Sequence, residues 1–430
     1  LKRLIDKIDT TLAFQIFQIS RFGTWLVISF FLVKFLPEQS IIGEFEYSLF
    51  LLSLVSFFWN IGLKNALVNY YSKSLQQEIS LSIVFYLLFF AGLCTAIGIG
   101  LYASYSDVDY IHDNRFILIF LFLFFGLSTL PEYILLLRKR SLHLVVYGIV
   151  IHGLLLFVMV TALLTKPKLE LLLMVYTFWM LIKVVYTVWL LKGTGYQSIT
   201  QKGIFDFIGY SLPFMFYIVM NKGMEFVDGL IVRQFFPLDV FPVYRYGAKE
   251  FPISLILFSA LATASIPLYI KSGRKSLIVL RNKVKVLIFI LFPIIAVLLI
   301  ISPFLFKAVY NELYLDSAKI FNIHLLIIFS RVWLPQVVLV AKEYMKQLIF
   351  FSGIEIIINI SLSIVFIQSY GLLGIAYGTL IAYLIHKSLL VLYLNIKEGI
   401  IPSEYMPIPI YTVFSVILFA IFVISQNFLF

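Results

Sequence analysis

Residues 79–102 read ISLSIVFYLLFFAGLCTAIGIGLY, 24 residues without one formal charge. As a helix rising 1.5 Å per residue the stretch measures about 36 Å, enough to cross the roughly 30 Å hydrocarbon core of a bilayer. It does not alternate polar and apolar residues, so it is no strand of a membrane barrel. Stretches of the same kind recur along the chain. They run approximately 11–36, 45–63, 79–102, 115–137, 141–164, 169–191, 205–236, 240–270, 284–306, 317–341, 347–367, 372–395 and 408–425. The fold class that follows is an all-α polytopic membrane protein with 12–14 transmembrane helices, thirteen by this count.

The composition agrees. Of 430 residues, 62% are apolar and only 13% charged, about half the roughly 25% of a soluble domain. A soluble enzyme, a disordered chain and a coiled coil are excluded. The connecting loops are short and leave no room for a nucleotide-binding domain, and no Walker motif is present. Cys94 excludes an intrachain disulfide and reads as a small core residue. The first span carries Gln15, Gln18 and Arg21 and is followed by no A-x-A site, so it reads as retained rather than cleaved. Pro213, Pro252, Pro267, Pro293 and Pro335 fall inside spans and are expected to kink them.

The net charge of +11 is largely a topology signal. With a cytoplasmic N-terminus, twenty of the 33 Lys and Arg fall in inner segments, Lys64 and the cluster 271–285 among them. Five fall outside: Arg115, Lys166, Lys168, Arg233 and Lys307. Such a bias on short loops sets the orientation.

A repeat with a period near 200 residues supports two halves. Phe35-Leu36-Pro37 is echoed by Phe235-Phe236-Pro237, and Phe45-Glu46-Tyr47 by Val243-Tyr244-Arg245-Tyr246. Six spans separate the copies, so both have one orientation and the repeat is parallel. The expected organisation is a six-helix lobe over 1–200, a second over 201–400, and an additional membrane segment over 401–430. The lobes are expected to surround a central cationic cavity.

Ionisable residues at bilayer depth cost about 2.5–3.5 kcal/mol each on insertion scales and usually face a partner or a cavity. The embedded cations are Arg21, Lys34, Lys183, Lys222, Arg245, Lys249, Lys319 and Arg331. The acids read as embedded are Glu225, Asp228, Glu250 and Glu355, leaving a surplus of positive charge. Lys34 and Lys319 lie near span ends and read as snorkelling anchors. Asn221, Glu225 and Asp228 share one face by helical spacing, as do Arg245 and Lys249. His324, Arg331 and Pro335 line up in the tenth span, and Glu355, Asn359 and Ser363 form a stripe in the eleventh. Arg21, Lys222, Arg245, Lys249 and Arg331 are the candidate anion-binding set, because guanidinium and ammonium groups match phosphate oxygens. Glu225, Asp228, Glu250 and Glu355 are candidates for a charge network or for coupling to Na⁺ or H⁺. The five histidines have no zinc-ligand spacing, so no metal and no cofactor is expected.

Two groups of motifs carry a family resemblance. The first is Arg21, Leu36-Pro37, Gly43, Phe45-Glu46-Tyr47 and Gly62-Leu63-Lys64-Asn65-Ala66. The second is Tyr210-Ser211-Leu212-Pro213, then Asp228, then Val243-Tyr244. The chain resembles the polysaccharide flippases, translocases of O-antigen and capsule repeat units in the multidrug/oligosaccharidyl-lipid/polysaccharide exporter superfamily. Pro213 and Asp228 match the second motif directly. The resemblance implies two lobes around a basic cavity, a bacterial inner-membrane location, and a substrate. That substrate is an oligosaccharide on undecaprenyl diphosphate, carried from the inner to the outer leaflet. Other polysaccharide-assembly proteins and membrane lipids are the implied partners; nucleic acid is not. Members usually have twelve or fourteen spans, so thirteen is a departure.

Other readings stay open. Within the superfamily they are a lipid II flippase or a drug/cation antiporter; the latter calls for an acidic cavity. A polysaccharide polymerase calls for a large outer loop, and an O-acyltransferase for a mid-membrane His with an Asn or Asp partner. Neither is evident, and the chain reads as a carrier rather than an enzyme.

Overall fold

The computed structural model describes residues 9–36, 38–73, 77–106, 108–192, 200–249 and 251–429. Every regular element among them is a helix. In hydrocarbon no water pairs with backbone N–H and C=O groups, and a helix satisfies them within its own segment. Eleven stretches of the described residues are long and apolar enough to cross a membrane. One of these, Ile253–Val309, runs 57 residues and contains two helices, and Gln201–Phe235 is not among the eleven. The sequence count of thirteen is therefore not reproduced as such.

The chain forms two compact units, Leu1–Lys222 and Gly223–Phe430. The first holds α1 (Thr10–Phe35), α2 (Gln39–Lys73), α3 (Gln77–Tyr105), the short α4 (Asp109–Asp113), α5 (Arg115–Ser128), α6 (Leu130–Leu137), α7 (Ser141–Thr165) and α8 (Leu169–Leu191). It also holds the N-terminal part of α9 (Gln201–Phe235). Asp9 caps α1, its carboxylate accepting from the Leu12 N–H at 2.6 Å, which satisfies one of the orphan donors of the first turn. α1 packs on α7, and α5 packs on both α3 and α8. Between lipid-exposed helices there is little hydrophobic drive, so close backbone approach decides the packing. Gly92 of α3 shows this: a Cβ there would sit 2.7 Å from the Leu123 carbonyl oxygen of α5. Phe17, Leu67, Leu88, Leu130 and Leu144 fill the centre of this unit. Phe90, Ile97 and Leu101 of α3 point outward, where lipid suits them. Cys94 is exposed on the same helix, not a core residue as the sequence implied. The helix is apolar on all sides, so local sequence cannot say which side faces in.

The second unit holds the rest of α9, then α10 (Phe241–Gly247), α11 (Pro252–Ser272), α12 (Ser276–Val309), α13 (Leu315–Leu325), α14 (Ile328–Arg331) and α15 (Gln336–Ala341). It continues with α16 (Met345–Tyr370), α17 (Leu372–Glu398), the short α18 (Pro402–Tyr405) and α19 (Ile408–Phe428). α16 and α17 form a helical hairpin that reverses at Gly371, whose φ of 55° favours glycine. Within the hairpin a Cβ on Gly378 would meet Ser363 Oγ at 2.5 Å and its backbone N at 2.8 Å.

Three expected spans are not single helices. Span 115–137 is divided at Thr129 between α5 and α6. Span 240–270 is broken between α10 and α11: Phe251 is extended (φ −66°, ψ 107°) ahead of Pro252, as a residue before proline prefers. Span 317–341 is divided into α13, α14 and α15, with Pro335 in the second break. Pro213, Pro267 and Pro293 do lie inside helices.

Candidate functional site

Each unit has its own buried polar centre. In the second unit the centre is Asp228 on α9, 7% exposed. Its Oδ2 accepts from the Tyr244 hydroxyl of α10 at 2.9 Å and from the Thr379 hydroxyl of α17 at 2.8 Å. Its Oδ1 accepts from Asn359 Nδ2 of α16 at 3.2 Å, and the same amide nitrogen lies 2.9 Å from Thr379 Oγ1. Four helices thus meet on one carboxylate. The Asn359 Oδ1 is buried and has no hydrogen-bond partner. His324 of α13 sets its ring edge-on to Tyr244, centroids 6.3 Å apart.

The stripe Glu355, Asn359, Ser363 is buried along its whole length. One turn before Asn359, Glu355 Oε2 meets His386 Nδ1 of α17 at 2.7 Å. Next to His386, Lys387 donates to Gln336 Oε1 at 3.0 Å. The Arg331 guanidinium lies over the Tyr383 ring, 5.2 Å from its centroid.

In the first unit α2, α5, α6, α7 and α8 converge on Lys64, Glu132 and Lys183, all at most 5% exposed. Lys64 Nζ donates to the Thr129 hydroxyl at 2.8 Å, and that hydroxyl lies 3.1 Å from Asn60 Oδ1. Thr129 sits in the break between α5 and α6, which brings its side chain to the lysine. Lys183 Nζ is 4.0 Å from Glu132 Oε2 and 4.4 Å from the Trp179 ring centroid. His152, fully buried, hydrogen-bonds through Nδ1 with the Gly148 carbonyl at 2.7 Å. Arg21 is exposed on α1 yet within electrostatic reach of Lys64, Lys183 and His152.

The candidates named from sequence fare unequally. Asp228 and Glu355 are buried in polar networks. Glu225 is exposed, whereas Asp228, three residues on, is buried. Arg245 and Arg331 are half-buried. Lys249, half-buried, lies over the Tyr246 ring at 4.8 Å, but α10 ends at Gly247, so Arg245 and Lys249 do not share a helical face. His324, Arg331 and Pro335 do not share one either, because α13, α14 and α15 are separate. The Lys222 side chain and Glu250 lie outside the described residues.

Sequence reasoning missed several residues. Lys64 was placed in a loop, but α2 continues to Lys73 and buries it. Glu46 and Glu132 are buried acids that the charge count omitted, as it omitted the buried cation Lys64. His386 and Thr379 gave no local signal.

No protein-family model matches the chain, and no curated protein sequence does. Solved structures do. The lipid II flippase MurJ in an inward closed conformation has a TM-score of 0.70 at 17% identity, covering 96% of this chain and 92% of that one. An outward-facing MATE multidrug-resistance transporter of the MOP superfamily has a TM-score of 0.61 at 11% identity, covering 90% of this chain and 96% of that one. A MOP superfamily transporter from Pyrococcus furiosus has a TM-score of 0.59 at 11% identity, with the same coverages. At these identities the likeness is one of fold: the chain has the helical fold of the MOP-superfamily transporters and is a multi-pass membrane protein.

Proposed function

We propose that the chain is a flippase, not an enzyme. It moves an oligosaccharide repeat unit on undecaprenyl diphosphate from the inner to the outer leaflet of the bacterial plasma membrane, for surface polysaccharide assembly. The observation that carries the proposal is the likeness to a lipid II flippase along 96% of the chain. Cations at bilayer depth in both units add to it: Arg21, Lys64 and Lys183 in the first, Arg245, Lys249 and Arg331 in the second.

In this reading Arg21, Arg245 and Arg331 replace part of the water around the diphosphate. Guanidinium suits this because its planar fork meets phosphate oxygens in pairs. Lys222 and Lys249 add point charge. The membrane potential favours outward movement of anions. At 100 mV it contributes about 2.3 kcal/mol per charge, hence about 5 kcal/mol for two negative charges. The return of the empty carrier is assigned to a coupling cation at Asp228. Its carboxylate and the Thr379 hydroxyl beside it are hard oxygen donors suited to Na⁺.

The test is restoration of surface polysaccharide in a strain lacking the gene. Alanine at Arg21, Arg245 and Arg331 is expected to abolish restoration while the protein still reaches the membrane. Full restoration by all three variants would overturn the anion-binding reading. The second reading, lipid II as the substrate, is favoured by that same likeness to MurJ. Rescue of a strain depleted of its lipid II flippase would select it.

A further inference from the structure

The pair Glu355–His386 lies outside the coupling site just described. Its side chains are 9% and 12% exposed and meet at 2.7 Å through Glu355 Oε2 and His386 Nδ1. The other atom of each group, Glu355 Oε1 and His386 Nε2, is buried with no hydrogen-bond partner. Buried polar atoms in folded proteins are nearly always paired, so two orphans on one hydrogen-bonded pair require a reason.

With His386 neutral and its Nδ1–H donated to Glu355, Nε2 carries a lone pair and nothing to bind it. That atom is a vacant proton acceptor, and the carboxylate beside it is the counter-charge for the imidazolium that forms. We propose that Glu355 and His386 form a proton-binding site, loaded at His386 Nε2 and emptied at the same atom. The proton comes from water and returns to water; no other bond is made or broken. Histidine is the side chain whose ordinary titration lies in the range cells experience.

The surroundings tie the site's charge to the rest of the unit. On α17, Lys387 adjoins His386 and lies within electrostatic reach of both Glu355 and Arg331. α15 faces the pair with Gln336, bonded to Lys387. One turn before His386, the Tyr383 ring carries Arg331 of α14; one turn after Glu355, Asn359 donates to Asp228 of α9, and His324 of α13 lies within electrostatic reach of that carboxylate. A proton at His386 therefore adds positive charge to a pair that adjoins Lys387 and lies one helical turn from Asn359, the residue that donates to Asp228. Loading the pair is coupled to occupancy of Asp228 by any second cation, the two opposing each other. This coupling deepens the flippase reading and rests on it; the proton site itself does not.

The full-length protein in detergent is taken through a pH jump with an indicator dye. On a jump to acid pH the wild type is expected to take up about one proton more per molecule than His386→Gln. Superimposable uptake by the two proteins overturns the proposal. Glu355→Gln is a second variant that keeps the side-chain shape, and circular dichroism and gel filtration identify folded samples. In a second arm, proteoliposomes carry fluorescent undecaprenyl diphosphate as the probe. A gradient of one pH unit is expected to shift its distribution between leaflets by up to about tenfold for one coupled proton. Folded variants that still flip the probe are expected to show no such shift. Wild-type flipping that ignores the gradient overturns the coupling. Proton uptake with no movement of the probe upholds the site and defeats the flippase reading instead.

Discussion

The Tyr244 hydroxyl donates to Asp228 Oδ2 at 2.9 Å, joining the seven-residue helix α10 to the long helix α9. Tyr244→Phe removes one of three side-chain donors to a buried carboxylate, and a hydrogen bond to a charged group is worth about 1.5–3 kcal/mol. Asp228→Ala strands all three donors at once. Thermal unfolding in detergent is therefore expected to rank Asp228→Ala well below Tyr244→Phe, with the latter measurably below wild type. Equal midpoints for the two variants would contradict the shared-acceptor geometry.

The glycines of α16 and α17 give a paired comparison. Gly378→Ala pushes a methyl into Ser363, where overpacking costs about 1–3 kcal/mol. Gly353→Ala meets nothing within 4 Å and gains helix propensity of about 0.8–1 kcal/mol. The first is expected to lower the unfolding midpoint and the second to leave or raise it. The reverse order would sink the close packing of the hairpin.

Glu132 and Lys183 are both buried and 4.0 Å apart. Removing one partner of a buried pair strands the other, at about 3–5 kcal/mol. Glu132→Gln and Lys183→Met are each expected to destabilise strongly. The double variant is expected to lose less than their sum, since it removes both charges. Strict additivity in a double-mutant cycle would show that the two do not interact.

Outside the spans, Arg274 grips Glu404 with Nε at 2.5 Å and Nη2 at 2.6 Å. These bonds, with a smaller contribution from the Ile401 N–H, hold the Glu404 carboxyl below its ordinary value. The sign follows from linkage. The stabilisation is present above the unfolded carboxyl value of about 4.3 and fades as pH falls through the lower folded value. Hydrogen exchange over residues 399–406, corrected for intrinsic rates, is expected to lose protection in acid below about pH 4. In Glu404→Gln the acid dependence should vanish. Protection that does not change with acid in the wild type would refute the assignment.

Much of the fold is legible because hydrocarbon imposes a simple rule: long apolar runs become helices. Breaks within runs are legible only where proline announces them, as Pro252 does for the break after α10. The polar centres are harder. Lys64 reads as a loop residue because the apolar run before it ends at Leu63 and Asn65, Asn69 and Lys73 follow. Its partner Thr129 lies 65 residues away, beyond the reach of any window. The stripe on α16 was legible from spacing alone, but its partner was not. Gly371 was the available clue. Glu355 precedes it by 16 residues and His386 follows it by 15, so a hairpin turning there sets them opposite each other.

The last helix also bears on the broken stretch α13–α14–α15. The Tyr411 hydroxyl of α19 donates to the Phe329 carbonyl in α14 at 2.9 Å. Ser425 donates to the Leu299 carbonyl of α12 at 2.8 Å and accepts from Asn322 of α13 at 3.0 Å. Short helices leave carbonyls that water would normally satisfy, and lipid offers no substitute. α19 supplies a donor to that backbone at Phe329 and an acceptor to the Asn322 side chain, so in synthesis order the interrupted segment emerges long before the helix that completes it. The second unit thus cannot reach its final hydrogen bonding until α19 has entered the bilayer.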